Sequence, residues 1–259
     1  MTDHPISLEQ AVNLMKGDLG VAYREILSKS CCPIFWYRTD IAPTKVEHNG
    51  TLTILQTPKK IIGITAAHVI RQFEKDIQIN EFRLQLMNEV FDDFMSLVID
   101  ISDKRDLATI ELSQDIVSRL GKTPVDWPPI PPEEGKGIML SGFPNIELIE
   151  DVREASWGLF TALGVARTVT LDQITWLIEP EHNIPTPKIP TPPPLYDLGG
   201  ISGGPLISWF ESEQHVAHYR LSGIITEHPS YKENLDFPPI ERLAASRADC
   251  ISENGVIIF

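Results

Sequence analysis

The chain has 259 residues, of which 42% are hydrophobic and 22% are charged. This composition predicts a folded protein with a sizeable buried core and argues against a disordered chain. The 36 acidic residues outnumber the 22 basic ones, which gives a formal net charge of −14. Because so acidic a surface repels phosphate backbones, we do not expect the protein to bind nucleic acid.

The cysteines and the first ten residues indicate the cellular compartment of the protein. Cys31 and Cys32 are adjacent, Cys250 is the remaining cysteine, and no CxxC pair exists, so neither a disulfide framework nor a zinc site is expected. Residues 1–10 lack the basic and apolar regions of a signal peptide. No stretch approaches the roughly 18 apolar residues of a membrane span. We therefore expect a reduced, cytoplasmic protein without membrane contact.

Residues 1–30 are predicted to be a helical segment, with helical spacing over residues 7–28. Ser7 followed by Gln10 fits a capping box, and an apolar stripe comes after it. Two glycines interrupt that stripe, so one helix and two shorter ones both remain open. We expect the segment to pack on the outside of the main body, where it is a candidate docking surface for a partner protein.

The rest of the chain is predicted to be β structure in two halves. Short apolar segments bounded by turn-forming residues fill residues 31–122, and similar segments recur within residues 133–259. Their spacing favours an antiparallel barrel or sandwich over alternating βαβ units. Residues 123–132 contain five prolines, which predicts a semi-rigid connector between the halves. Residues 238–252 carry apolar residues at helical spacing, which predicts a C-terminal helix.

A second proline-rich stretch, residues 180–194, contains seven prolines. Proline fixes φ and cannot donate a backbone hydrogen bond, so this stretch forms neither a helix nor a central strand. One interpretation is a solvated loop. The other is a lid over a neighbouring cleft, because polyproline is extended like a peptide substrate but cleaves poorly.

Ser202 is surrounded by four glycines, at positions 199, 200, 203 and 204. Glycine is costly within a strand, so this cluster indicates a sharp turn with close backbone approach. Such a turn exposes the hydroxyl and directs backbone amides at one point, where they can bind the oxyanion that forms when a serine attacks a carbonyl. We predict the amides of Gly200 and Ser202 as these donors. An ordinary glycine-rich turn is the alternative.

A serine nucleophile needs a base, and His68 is the candidate. It follows an apolar strand and the small residues 65–67, which allow its backbone to pack tightly against a neighbouring strand. The base needs a carboxylate that fixes its tautomer, and Asp106, directly before an apolar strand, is the candidate. Asp103 competes for this role, but two cationic residues follow it, which favours a solvated position.

Two other patterns point to different chemistry and are disfavoured. Residues 200–204 also fit the G-x-S-x-G elbow of α/β-hydrolases, which requires the order Ser, acid, His. The first aspartate after Ser202 is Asp236, and no histidine follows it. His215 and His218 form an HxxH pair, but on a strand residues three apart point to opposite faces, so shared metal ligation is not expected.

Three segments together resemble the signature of the trypsin-like serine peptidases, in the order His, Asp, Ser. They are TAAHV at residues 65–69, DLATIEL at residues 106–112 and GISGGP at residues 200–205. Residues 141–145 resemble the Gly-aromatic-Pro turn of HtrA-like bacterial members, and residues 222–228 resemble the strand that lines the family's substrate channel.

The resemblance implies an all-β fold of two antiparallel six-stranded β-barrels packed face to face, with the helical segments at either end. It implies a non-secreted bacterial serine endopeptidase that cleaves protein or peptide substrates and uses no metal and no cofactor. Ser202 would attack the scissile carbonyl, His68 would transfer the proton, and Asp106 would hold His68. The alternatives are a catalytically silent fold that binds peptides or assembles partners, and a peptidase that makes one signalled cut in a partner.

The resemblance also assigns residues to the substrate. Thr226 would lie beside the carboxylate of the triad, and the backbone of Thr226, Glu227 and His228 would pair with an extended substrate as an added strand. Tyr196 and Asp197 precede the nucleophile where side-chain selectivity is set, and an aspartate there favours a basic side chain at the cut.

Overall fold

The computed structural model describes residues 17–40, 45–150, 155–177, 198–211, 217–227 and 242–258. These residues form two curled antiparallel sheets and few helices. None of the helices in these ranges has the length and apolar character needed to cross a bilayer.

The first sheet comes from the first half of the chain and has the strand order β5-β4-β1-β2-β3-β7-β6, with β8 parallel to β2. Its strands are β1 (Cys31–Arg38), β2 (Val46–Gln56), β3 (Ile61–Thr65), β4 (Phe82–Leu86), β5 (Glu89–Phe91), β6 (Val98–Ser102), β7 (Leu107–Leu112) and β8 (Val125–Asp126). Threonine alternates with leucine and isoleucine over residues 51–54 of β2, and β3 is rich in isoleucine, which suits these buried strand segments.

The second sheet has the order β12-β9-β15-β16-β17-β14-β13, and β10 and β11 form a separate hairpin. The strands are β9 (Gly137–Gly142), β10 (Leu148–Glu150), β11 (Ala155–Trp157), β12 (Phe160–Val165), β13 (Thr168–Val169), β14 (Gln173–Leu177), β15 (Pro205–Glu211), β16 (Ala217–Glu227) and β17 (Arg242–Arg247). Each large sheet thus contains, among the described residues, six strands of five or more residues together with shorter ones. The predicted all-β class is confirmed, because the described residues form two curled, mainly antiparallel sheets that each make a half-barrel.

Three α-helices lie outside the sheets in the described ranges. They are α1 (Asp18–Ser30), α2 (Ala67–Asp76) and α3 (Gln114–Arg119). The described part of the predicted N-terminal segment is helical, and residues 1–16 lie outside the described ranges. Leu27 of α1 is fully buried against Met139 and Ile207 of the second sheet. Partner docking by this segment stays a prediction.

The predicted C-terminal helix is wrong. Residues 242–247 form β17, which pairs with β14 on one side and β16 on the other, and residues 248–250 form a short 3-10 turn. Leu243, Ala244 and Ala245 are all buried, so successive side chains are covered on both faces of the sheet. A short apolar run of this kind does not distinguish a central strand from a helix by periodicity, because both faces are apolar.

The two halves share a core, to which the last residues of the chain contribute. Ile251 and Ile257 pack in one cluster with side chains from both sheets. The Ile257 amide donates to Asp100 Oδ2 (2.9 Å), and Thr109 Oγ1 donates to the Gly255 carbonyl (2.6 Å). The C-terminal segment therefore leaves the second sheet and binds the first one, which fixes how the halves meet. The 180–194 stretch lies outside the described residues.

Candidate active site

His68 lies in the first turn of α2, immediately after a fully buried strand. All five residues of β3 are buried, and Ala66 and Ala67 are buried as well. Small side chains at these two positions let the helix start directly at the end of the strand. The His68 side chain is half exposed, so the imidazole reaches solvent.

Asp106 holds His68 with both of its carboxylate oxygens. One oxygen accepts the His68 backbone amide (2.9 Å) and the other lies 2.8 Å from His68 Nδ1. An ionised carboxylate only accepts hydrogen bonds, so Nδ1 carries the proton in this contact. In the neutral ring Nε2 is then unprotonated and free to act as a base. The competing Asp103 instead pairs with Arg71 (3.1 Å) and is mostly exposed.

Ser202 lies on the glycine turn that leads into β15, and it is buried, with 2% of its surface exposed, whereas the sequence pattern predicted an exposed hydroxyl. Gly200 and Gly203 have φ values of +96° and +93°, which few side chains tolerate. The amides of Ile201, Gly203 and Gly204 donate to backbone carbonyls. Among the hydrogen bonds of the described residues, the amides of Gly200 and Ser202 have no acceptor. These two free donors are the ones predicted to bind an oxyanion.

The serine turn is hydrogen-bonded to the first half-barrel by two threonines, and a third packs against it. The Thr51 amide donates to the Ser202 carbonyl (2.8 Å), and Thr51 Oγ1 donates to the Gly200 carbonyl (3.0 Å). Thr53 Oγ1 donates to the Gly203 carbonyl (2.8 Å). Thr65, the last residue of β3, lies so close to Gly203 that a side chain there would overlap its hydroxyl.

The glycine turn therefore packs on the strand end from which α2 and His68 begin. The histidine and the aspartate are in direct contact, whereas the Ser202 hydroxyl makes no hydrogen bond with His68 within the described part of the chain. Catalytic hydrogen bonds are commonly long without substrate and tighten when it binds, so this separation is compatible with catalysis. The roles of the three residues remain predictions.

The predicted substrate-binding residues are only partly described. Tyr196, Asp197 and His228 lie outside the described residues, as does His215 of the HxxH pair, and Glu227 is the last residue of β16. Thr226 is buried at the irregularity in the pairing of β16 with β17. No hydrogen bond joins it to the aspartate of the site in the described ranges.

Two features of the site are not visible in the sequence pattern. The alternating threonines of β2 look like an ordinary strand face, yet they bind the serine turn. Arg105 looks like part of a solvated charged turn, yet its side chain is 9% exposed and reaches the second half-barrel. Its position directly before Asp106 was the only available signal. Across the described residues, no group of three His, Cys, Asp or Glu side chains is placed to hold a metal ion.

No protein-family model matches the chain, and no curated protein matches it either. Among solved structures, the chain is similar to the serine protease domain of the Sesbania mosaic virus polyprotein, at 14% identity and a TM-score of 0.46, over 83% of this chain and 87% of that one. It is also similar to a structure described as "Aromatic interactions drive the coupled folding and binding of the intrinsically disordered Sesbania mosaic virus VPg protein", at 13% identity and a TM-score of 0.46, over 83% and 85% of the two chains. Likenesses this distant do not bear on what this chain does.

Proposed function

We propose that this protein is a serine endopeptidase in which Ser202 is the nucleophile, His68 the general base and Asp106 the residue that orients it. The observation that carries the proposal is the double contact of the Asp106 carboxylate with the His68 amide and Nδ1. A carboxylate that is hydrogen-bonded to both the backbone amide and the ring of one histidine fixes the direction in which Nε2 points. That direction is what a base needs to accept a proton from a hydroxyl.

The proposed reaction follows the acyl-enzyme route. The Ser202 hydroxyl attacks the scissile carbonyl while Nε2 of His68 accepts its proton, and the carboxylate of Asp106 stabilises the imidazolium that results. The carbonyl oxygen becomes an oxyanion and accepts hydrogen bonds from the amides of Gly200 and Ser202. His68 then protonates the leaving amine. Water hydrolyses the acyl-enzyme through the same base.

General magnitudes for such groups support the proposal. A positioned general base contributes about 10² to 10⁴-fold in rate. Each oxyanion donor contributes about 10² to 10³-fold. In this proposal an extended substrate pairs with the backbone of residues 226–228 as an added strand, which explains an endopeptidase that accepts protein chains.

The test is hydrolysis of a fluorogenic peptide library by the wild type and by Ser202→Ala and His68→Ala. We expect wild-type turnover and a loss of at least about 10³-fold in either variant. The matched control is His48→Ala, because His48 is also half exposed in the first half-barrel and also faces a carboxylate, with Nε2 3.8 Å from Asp76 Oδ2. This control should keep the wild-type rate.

Two results would contradict the proposal. If Ser202→Ala hydrolyses peptides as fast as the wild type, the nucleophile is another group. If the folded wild type cleaves no member of the library, the catalytically silent alternative gains, in which the same cleft binds peptides without cutting them.

A further inference from the structure

The turn that carries Asp106 is anchored to the opposite half-barrel through its neighbour Arg105. We infer that Arg105 is a positioning residue. It holds the Asp106 turn, and through it the His68 ring, in a fixed position relative to Ser202 of the second half-barrel. This inference rests on the proposed function. It assigns a role to a residue that does not touch the reacting atoms.

The hydrogen bonds of the Arg105 side chain and carbonyl cross between the halves. Its guanidinium Nη1 lies 2.5 Å from Asp172 Oδ1 and donates to the Leu171 carbonyl (3.2 Å), in the loop between β13 and β14. Its own carbonyl accepts a hydrogen bond from the hydroxyl of Ser246 in β17. Side chain and backbone of this single residue are therefore both bound to the second sheet, one position before the aspartate.

The turn needs such anchors because its own hydrogen bonds are weak. Asp106 has a φ of +49°, a conformation that non-glycine residues keep only where their surroundings impose it. Within the turn, the Asp106 amide donates to the Asp103 carbonyl at 3.3 Å, and the Arg105 amide donates to Ser102 Oγ, also at 3.3 Å. Both lie beyond the usual range for N–H···O hydrogen bonds. The shorter contacts are those with Asp172 and Ser246.

The burial of the Arg105 side chain indicates that its contacts position the turn rather than stabilise the fold. The Nε atom of Arg105 is buried without an acceptor in the described ranges, and the side chain is only 9% exposed. Burying a guanidinium is costly, and a buried ion pair often contributes little net stability. Asp172, by contrast, is 62% exposed. Removing the arginine therefore leaves no buried unpaired carboxylate, and we expect an Arg105 variant to fold.

The geometry of the site depends on the relative position of the two half-barrels. Asp106 and His68 belong to the first half-barrel and Ser202 to the second. Small misplacements of a catalytic group, on the order of 1 Å, cost up to about 10²-fold in rate. Arg105 binds a loop of the second half and directly precedes Asp106 of the first half, so it limits such a misplacement of the aspartate.

The experiment compares Arg105→Met, which keeps side-chain length but removes the donors, with Arg105→Lys, which restores the charge. We expect Arg105→Met to lower kcat by about 10-fold or more with KM little changed. Arg105→Lys should recover part of that loss. The second measurement is the proton NMR signal of His68 Nδ1–H in the contact with Asp106, which should broaden or disappear in Arg105→Met.

The matched control is Arg247→Met. Arg247 binds the same loop, donating from Nη1 to the Thr170 carbonyl (2.9 Å), and its side chain is 17% exposed. It belongs to the second half, however, and has no contact with the Asp106 turn among those of the described residues. It should keep the wild-type kcat and NMR signal. Thermal unfolding of both variants checks that they are comparably folded.

The inference is overturned if folded Arg105→Met keeps both the wild-type kcat and the Nδ1–H signal, or if Arg247→Met loses them equally. The two hypotheses fail separately. If the wild type cleaves no peptide but the Nδ1–H signal still depends on Arg105, the proposed function is wrong and the positioning role stands.

Discussion

Gly203→Ala is the perturbation that tests most sharply how the serine turn is held. Gly203 has a φ of +93°, and a Cβ there would lie closer than the 3.0 Å limit of real contacts to the Thr51 carbonyl and the Thr65 hydroxyl. The residue also donates its amide to the Ile225 carbonyl (2.7 Å) and accepts from Thr53 Oγ1 (2.8 Å). A methyl group must therefore displace the turn from the first half-barrel.

The cost has two parts that can be separated. Forcing a non-glycine residue to this φ costs about 1–3 kcal/mol. Overpacking against the rigid backbone of β2 adds about 1–3 kcal/mol. Gly135→Ala is the matched control, because Gly135 has a φ of +80° but nothing within 4 Å of an added Cβ. In this control the free energy of unfolding is lowered only by the strain of the positive φ, because the added methyl group meets no other atom.

Denaturant unfolding followed by tryptophan fluorescence measures both variants. We expect Gly203→Ala to lose about 1–3 kcal/mol more unfolding free energy than Gly135→Ala, and to react more slowly with a serine-directed fluorophosphonate. Equal losses in the two variants, with equal labelling rates, would show that the turn does not pack on β2 and β3 as described.

Two further predictions test the surroundings of the site. Thr51→Val keeps the side-chain shape but leaves the Gly200 carbonyl and the Phe143 amide, both 3.0 Å from Thr51 Oγ1, without a partner, so unfolding free energy should fall by about 1–3 kcal/mol. An unchanged denaturant midpoint would contradict this. Burial raises the pKa of Cys31 and Cys32 to about 12, so at pH 8 both are neutral thiols rather than nucleophilic thiolates. Mass spectrometry should find them unreactive to iodoacetamide when folded and alkylated in denaturant; rapid alkylation of the folded protein would refute their burial.

The sequence predicted the parts of the site that depend on local pattern. The four glycines around Ser202 indicated a sharp turn, and the structure has two positive φ values there. The strand before His68 and the strand after Asp106 are β3 and β7, which pair with each other, so two residues 38 positions apart come into contact. Local spacing was enough because each residue stands at the end of a buried strand.

What the sequence could not predict depends on contacts across the chain. Thr51 binds the serine turn about 150 residues away, and a threonine in a strand gives no sign of its partner. The charges of residues 103–105 indicate a solvated turn, because charged side chains are usually exposed, and Asp103 fits that expectation whereas Arg105 is buried. The apolar spacing of residues 242–247 fits a helix when it is taken alone. These residues form a strand because β14 and β16, which come from elsewhere in the sequence, pair with them on both sides.

The most direct test of the account is to map where a fluorophosphonate attaches. The wild type should carry one phosphonyl group per chain, on Ser202, and folded His68→Ala should carry almost none, because the hydroxyl is then without its base. Attachment at another residue, or equal modification of Ser202 in His68→Ala, would contradict the claim that the histidine of one half-barrel activates the serine of the other.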